Sequence, residues 1–232
     1  MFRRLTVSLP PATPQPTVYI VDDDSGVRKS LCWLIETVGV PVKAFASAAS
    51  FLDECDVRMP GCLVLDVVMP GMSGLELQEE LRRRGVEIPV IMLTGYGDVP
   101  TAVRALKNGA IEFLEKPVDD DALLDQVQRA LALDARRRKE RGEFDNVFER
   151  MTHLTPREHE VLDLVVDGLS SKEIAAQLSV SFKTVEAHRA KIMTKMEAES
   201  VADLVRLVVG ASSLIGGPDS RSRAVPGAVR TV

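Results

Sequence analysis

The stretch that most restricts this chain is Gly61-Cys62-Leu63-Val64-Leu65-Asp66-Val67-Val68-Met69-Pro70-Gly71. Four apolar residues lead to a single carboxylate, and a Pro-Gly turn follows. An apolar run this short, bounded by turn residues, predicts a strand buried on both faces, as in a parallel sheet. Asp66 then stands at the strand's carboxyl end, the edge of an open parallel sheet where ligands bind. Alone, such an aspartate reads as a loop cap. Other strands that also end in polar residues give it a second meaning.

Thr17 to Asp22 predicts a first strand, followed by Asp22-Asp23-Asp24 and a helix from Ser25 to Val38 with Val27, Leu31, Leu34, Ile35 and Val38 at helical spacing. Val42 to Phe45 is a second strand, and Ser47 caps a helix to Cys55. After the Asp66 strand, Ser73 opens a helix that ends in Arg82-Arg83-Arg84-Gly85, where the basic residues complement the helix dipole. Pro89 to Leu93 is a fourth strand ending at Thr94, Val99 to Asn108 a helix, and Ile111 to Glu115 a fifth strand ending at Lys116-Pro117. Asp119 to Asp121 cap a longer helix burying Leu123, Leu124, Val127, Ala130 and Leu131. Strands alternating with helices predict right-handed crossovers: an α/β, doubly wound (βα)5 parallel sheet.

Beyond it the strand signals stop. Thr155-Pro156-Arg157-Glu158 is a capping box with proline at the first helical position, and Ser170 to Glu173 repeats the pattern. Ser181 starts a third helix, to Met196, and Ser200 a fourth. The expected organisation is a disordered lead-in over 1–16, an α/β domain over 17–133, a charged linker over 134–150 (helical or partly so), a four-helix all-α domain over 151–210, and a disordered tail over 211–232.

Among 232 residues, 45% are hydrophobic and 27% charged, which suits two modest soluble domains. The net charge of −5 excludes a wholly basic nucleic-acid binder but leaves room for one basic face. Cys32, Cys55 and Cys62 sit in apolar segments at no metal-ligand spacing and read as buried small hydrophobes in a reducing cytoplasm. No stretch approaches bilayer-spanning length, so no membrane association is expected. Prolines replace the apolar core that a signal peptide would need in the first sixteen residues.

Side by side, the carboxyl ends of strands one, three, four and five offer Asp22 and Asp23, Asp66, Thr94, and Lys116. Neighbouring carboxylates raise one another's proton affinity unless a cation lies among them, and hard oxygens in this number suit Mg²⁺. A carboxylate flanked by a metal, an ammonium and a hydroxyl is equipped to attack phosphorus and hold an acyl phosphate.

On VDDD, LDVVMPGMSG, LTG and EKP, residues 17–133 resemble the receiver domain of two-component response regulators. The resemblance implies Asp66 as phospho-acceptor, Asp23 as direct Mg²⁺ ligand, Asp22 acting largely through water, and the Val68 backbone carbonyl completing the protein ligands. It implies Thr94 and Phe113 as a switch pair, a cis Lys116–Pro117 peptide, and a partner histidine kinase. Asp24 lies one place beyond the family pair. Residues Val68 and Tyr96 flank the family's pocket, and with these side chains a long-lived phosphoryl group is expected. A phosphatase of the haloacid dehalogenase type would need a second aspartate where Val68 stands, and no GxxxxGK[ST] loop supplies an ATPase. The expectation is therefore a receiver with no independent enzymatic domain; a phosphorylation-independent protein-contact module is the alternative.

The second domain has one helix, 181–196, with Val185, His188, Ile192 and Met196 on one face and Lys183, Glu186, Ala187, Ala190 and Thr194 on the other. Four basic residues (Lys183, Arg189, Lys191, Lys195) face one acid, Glu186, which suits phosphate contact. The segment LTPREHEVLDLVVDGLSSKEIAAQLSVSFKTVEAHRAKIMTKM resembles the helix-turn-helix of the LuxR, NarL and FixJ group, with GDVPTAV and TVEAHRAKIM pointing to the FixJ branch. That resemblance implies that helix 181–196 enters the major groove. Glu186, Ala187 and Ala190 would face base edges, and Lys183, Thr184, Arg189 and Lys191 would hold phosphates. His188 is expected to be a packed, hydrogen-bonded residue. The whole is expected to be a cytoplasmic, phosphorylation-gated transcription factor that forms a homodimer, binds double-stranded promoter DNA and engages RNA polymerase.

Overall fold

The computed structural model of the chain describes residues 15–95 and 99–215, with side chains as far as Ala211. Two compact units divide after Arg138. In the first, the strands are β1 (Thr17–Val21), β2 (Val42–Phe45), β3 (Gly61–Asp66), β4 (Val90–Thr94) and β5 (Glu112–Glu115). They form one parallel sheet in the order β2-β1-β3-β4-β5. The helices between them are α1 (Ser25–Glu36), α2 (Ala48–Glu54), α3 (Gly74–Arg83) and α4 (Val99–Lys107), and α5 (Asp120–Thr152) follows β5.

The period-two alternation of strands divides the core in two. Tyr19, Val21, Leu63, Leu65 and Met92 pack with Phe51 of α2, Leu77 of α3 and Ala105 of α4. On the other face, Val18, Ile20, Cys62, Val64 and Ile91 pack with Leu31 and Ile35 of α1 and Leu123, Val127 and Ala130 of α5. β3 is buried along its whole length, as an apolar run in a doubly covered sheet requires. Its first residue, Gly61, lies at φ +131°, and a Cβ there would fall 1.8 Å from the Thr17 carbonyl oxygen. No side chain fits at that position.

Several expectations shift. Val38 lies outside α1 and is exposed, because the helix ends at Glu36. Cys32 and Cys55 are only half-buried; Cys62 alone is fully buried, and burial pushes its thiol up to about 12. The segment expected to be a linker, helical or partly so, is helix throughout, since α5 runs from Asp120 to Thr152. Within it, Asp134 is buried against the first unit, accepting from the Gly61 N–H (2.9 Å) and from Arg138 (2.8 Å). Val147 of the same helix belongs to the second unit's core.

That second unit comprises the end of α5 with α6 (Pro156–Val166), α7 (Ser171–Gln177), α8 (Phe182–Met196) and α9 (Val201–Ile215). Helix α9 carries on past residue 210, and Ala211 is buried, so order extends into the segment expected to be tail. Both capping boxes form as the sequence predicts: Thr155 with Glu158, and Ser170 with Glu173. Val161, Leu162, Ile174, Val185, Ile192, Met196 and Leu204 make the core. Among the described residues, no helix is long and apolar enough to cross a membrane.

Candidate functional site

The register of the parallel sheet assembles the acidic pocket. Val21 pairs with Leu65, so the residues that follow them, Asp22 and Asp66, emerge side by side at the carboxyl edge. Thr94, the last residue of β4, is fully buried next along that edge. Its carbonyl accepts from the Lys116 backbone N–H at 2.7 Å, which ties the end of β5 to the end of β4. The Lys116–Pro117 peptide is cis, as expected. The Lys116 ammonium lies 2.7 Å from Asp22 and 3.1 Å from Asp66.

Asp22, Asp23 and Asp66 each offer one carboxylate oxygen, and these oxygens lie within 4.8 Å of one another. Asp22 is 1% exposed, Asp66 is buried and Asp23 is open to solvent. Three carboxylates therefore face one ammonium, and the remaining negative charge is not matched within the cluster. Burial raises the Asp66 carboxyl above its ordinary range; Lys116 opposes this and Asp22 adds to it. For Lys116, burial alone would lower the ammonium, but hydrogen bonds to Asp22 and Asp66 outweigh it and leave it raised. Hard oxygens converging from two strand ends onto one partly open point fit an Mg²⁺ ion, which needs few protein carboxylates and keeps several waters. Val68 is exposed beside them.

Asp24 has a separate task. It caps α1, accepting from Gly26 N–H (2.6 Å) and Val27 N–H (3.1 Å), and those donors, Val27 foremost, hold its carboxyl below the usual range. Three supporting residues went unread in the sequence. Arg28 donates to the Asp22 carbonyl at 2.6 Å. Gly74 lies so close to the Asp66 backbone that a Cβ would be 2.2 Å from its carbonyl oxygen. Asp134 anchors the other end of β3. Of the three, only Asp134 left a trace: a carboxylate that continues the buried stripe Leu123, Val127, Ala130. Phe113 on β5 is half-buried against the α2–α4 side of the core. Tyr96 lies outside the described residues.

In the second unit, a four-residue turn (178–181) joins α7 to α8, the spacing of a helix-turn-helix. Ser181 caps α8 by accepting from the Thr184 N–H at 3.1 Å. Val185, Ile192 and Met196 point inward, fully buried. Lys183, Thr184, Glu186, Ala187, Ala190 and Lys191 are exposed and Arg189 half-exposed, so the expected groove face is open. Two expectations fail. His188 is half-buried, but its buried Nδ1 has no hydrogen-bond partner. Lys195 is not available for phosphate: it donates to the Glu158 carboxylate (2.6 Å) and the His153 carbonyl (3.0 Å). The positive excess of the exposed face is thus two (Lys183, Arg189 and Lys191 against Glu186).

Residues 18–128 match the model of the response regulator receiver domain, and residues 152–208 that of the bacterial regulatory proteins of the luxR family. The chain is 46% identical over 192 residues to the transcriptional regulatory protein FixJ of Azorhizobium caulinodans, covering 83% of this chain and 91% of that one. It is 45% identical over 197 residues to the transcriptional regulatory protein TdiR of Thauera aromatica, covering 85% and 87%. Among solved structures, the response regulator StyR matches with a TM-score of 0.76 at 46% identity over 84% of this chain and 98% of that one. Full-length FixJ from B. japonicum matches with a TM-score of 0.52 at 38% identity, covering 87% and 99%. Because the likeness takes in both units together, the chain belongs to the FixJ-type response regulators, transcriptional regulators that join a receiver domain to a LuxR-family DNA-binding domain.

Proposed function

We propose that Asp66 takes a phosphoryl group from a partner histidine kinase and that this charge governs binding of the second unit to promoter DNA. The observation that carries the reading is the convergence of Asp22, Asp23 and Asp66 oxygens within 4.8 Å, with the Lys116 ammonium 3.1 Å from Asp66. An Asp66 carboxylate oxygen attacks phosphorus, the phosphorus–nitrogen bond of the donor phosphohistidine breaks, and the imidazole nitrogen keeps the electron pair. Lys116 sits where charge builds on the transferring oxygens. Asp23 and the Val68 carbonyl would hold Mg²⁺ directly with Asp66, and Asp22 largely through water. When bound, the ion neutralises the carboxylates and the developing phosphoryl charge.

Thr94 and Phe113 then act as the switch pair: the hydroxyl follows the phosphoryl oxygens and the ring turns inward. The exposed apolar residues of α4 (Val99, Val103, Leu106) favour homodimer formation through α4 and β5 once that surface shifts. On DNA, α8 enters the major groove, with Glu186, Ala187 and Ala190 toward base edges and Lys183, Thr184, Arg189 and Lys191 on phosphates. A dimer would span half-sites about 34 Å apart. Recruitment of RNA polymerase in the cytoplasm completes the reading, and no catalysis beyond self-phosphorylation belongs to it.

Treatment with labelled acetyl phosphate and Mg²⁺ tests the first step. One phosphoryl group per chain is expected on the wild type and none on Asp66→Asn with the fold intact. Undiminished labelling of Asp66→Asn would mean that another carboxylate is the acceptor. Failure of the wild type to label, with DNA binding retained, would favour the protein-contact module instead.

A further inference from the structure

One side chain of α8 belongs neither to the helical unit's apolar core nor to the contacts assigned above. Phe182, the first residue of the helix, is 51% exposed and is the one large apolar side chain of α8 left open to solvent. It is not among the residues of the helical unit's core or those packed against it. The local duties that an aromatic ring might perform there are already met. Ser181 and Thr184 close the cap, their hydroxyls 2.8 Å apart. The two positions of an apolar staple at a helix start, one residue before the cap and the fourth within, are held by Val180 and Val185, and Val185 is in the core cluster with Val180 packed against it.

Single exposed apolar residues are common on protein surfaces and carry no message by themselves. This one sits at the leading end of the helix read as the groove helix, flanked by exposed Lys183, Thr184 and Glu186. The amino-terminal residues of such a helix are those that meet base edges. In the major groove the one apolar feature is the thymine 5-methyl group, and apolar side chains, phenylalanine among them, are its usual partners. Phe182 and Glu186 are four residues apart, so their Cβ atoms are neighbours roughly 6 Å apart on one helix surface. Base pairs stack about 3.4 Å apart, which puts the two contacts within one or two base pairs of each other.

We infer that Phe182 is a specificity-determining residue: its ring packs on the 5-methyl group of a thymine, one or two base pairs from the cytosine whose amino group donates to the Glu186 carboxylate. The inference rests on the reading of α8 as the groove helix.

The test uses the full chain treated with acetyl phosphate and Mg²⁺, and a site selected from random double-stranded DNA. Each thymine of the half-site is replaced in turn by deoxyuridine, which removes only the methyl group. One replacement per half-site should weaken wild-type binding about three- to fivefold, the scale of one methyl group's apolar burial. Phe182→Ala should bind the thymine duplex weaker by a similar factor and be indifferent to the replacement, with an unchanged melting midpoint. Wild-type indifference to deoxyuridine at every position would overturn the inference, as would retained sensitivity in Phe182→Ala. Glu186→Ala separates the two levels. If it alters the selected sequence while Phe182→Ala does not, the groove reading stands and the thymine contact falls. If neither variant alters it, α8 is not the reader and both fall.

Discussion

The two units each set a partly exposed lysine against a buried carboxylate at nearly the same distance, and the surroundings turn the two pairs to opposite ends. Lys195 meets Glu158 at 2.6 Å; Lys116 meets Asp22 at 2.7 Å. In the helical unit the account closes. Glu158 also accepts from the Thr155 N–H at 2.8 Å, and Lys195 also donates to the His153 carbonyl. The hydrogen bond from Lys195 and the capping donor hold the Glu158 carboxyl down to about 2. At the sheet edge one ammonium faces three carboxylates, and burial leaves the Asp66 carboxyl raised instead. A compensated pair fastens a fold. An uncompensated cluster keeps an appetite for a cation and for a group that spreads negative charge, which is why the site lies in one unit and the fastener in the other.

Exchanging the roles would break this contrast. Lys116→Met should cut labelling by acetyl phosphate about 100-fold, the usual loss for one oriented charge in a transfer site, while divalent-ion binding by calorimetry persists. Unchanged labelling would make Lys116 a mere surface lysine. The matching change, Lys195→Met, should leave labelling untouched and weaken the helical unit by roughly 2–3 kcal/mol. That is below the cost for a wholly buried pair, because Lys195 is 33% exposed. Hydrogen exchange in α6 and α8 under mild urea would register it.

Acid sharpens the same difference. Glu158 has a folded value of about 2 against the ordinary 4.5, so its contribution is complete above pH 4.5 and is lost as pH falls from 4.5 through 2. Protection of α6 should decline over that window in the wild type and decline less in Lys195→Met. A smaller effect is expected at Asp134, where replacement by alanine strands the buried Gly61 N–H. About 1–2 kcal/mol of first-unit stability should disappear, seen as faster exchange in β3. The smallest effect belongs to a pair whose cation is solvated and whose acid has a second partner: Arg83→Ala leaves Glu80 still paired with Arg84 and should move the melting midpoint by no more than about 1 °C.

Much of this was legible beforehand because it is local. Alternating apolar runs and 3.6-residue stripes announced five strands and their helices, and the capping boxes at Thr155 and Ser170 marked helix starts to the residue. The pocket residues could be gathered because all of them end strands, and strand ends in a parallel sheet share one edge. The harder cases depended on partners distant in the chain. Lys195 counted as one more positive charge until Glu158, 37 residues away, took it up. His188 on the inward face of α8 is expected to be packed and hydrogen-bonded, yet its Nδ1 has no partner. The charged run after residue 133 read as a linker because its few apolar positions are too sparse to reveal that α5 serves both cores.

The sequence by itself determined which segments became strands and helices, since propensity, capping and periodicity act within a few residues. It also put Asp22, Asp66, Thr94 and Lys116 at strand ends. Only the tertiary structure decided how far apart their charged atoms stand and which of them balance. A Coulomb interaction depends on distance and burial, and both are set by parts of the chain that meet from 94 residues apart, as Lys116 and Asp22 do.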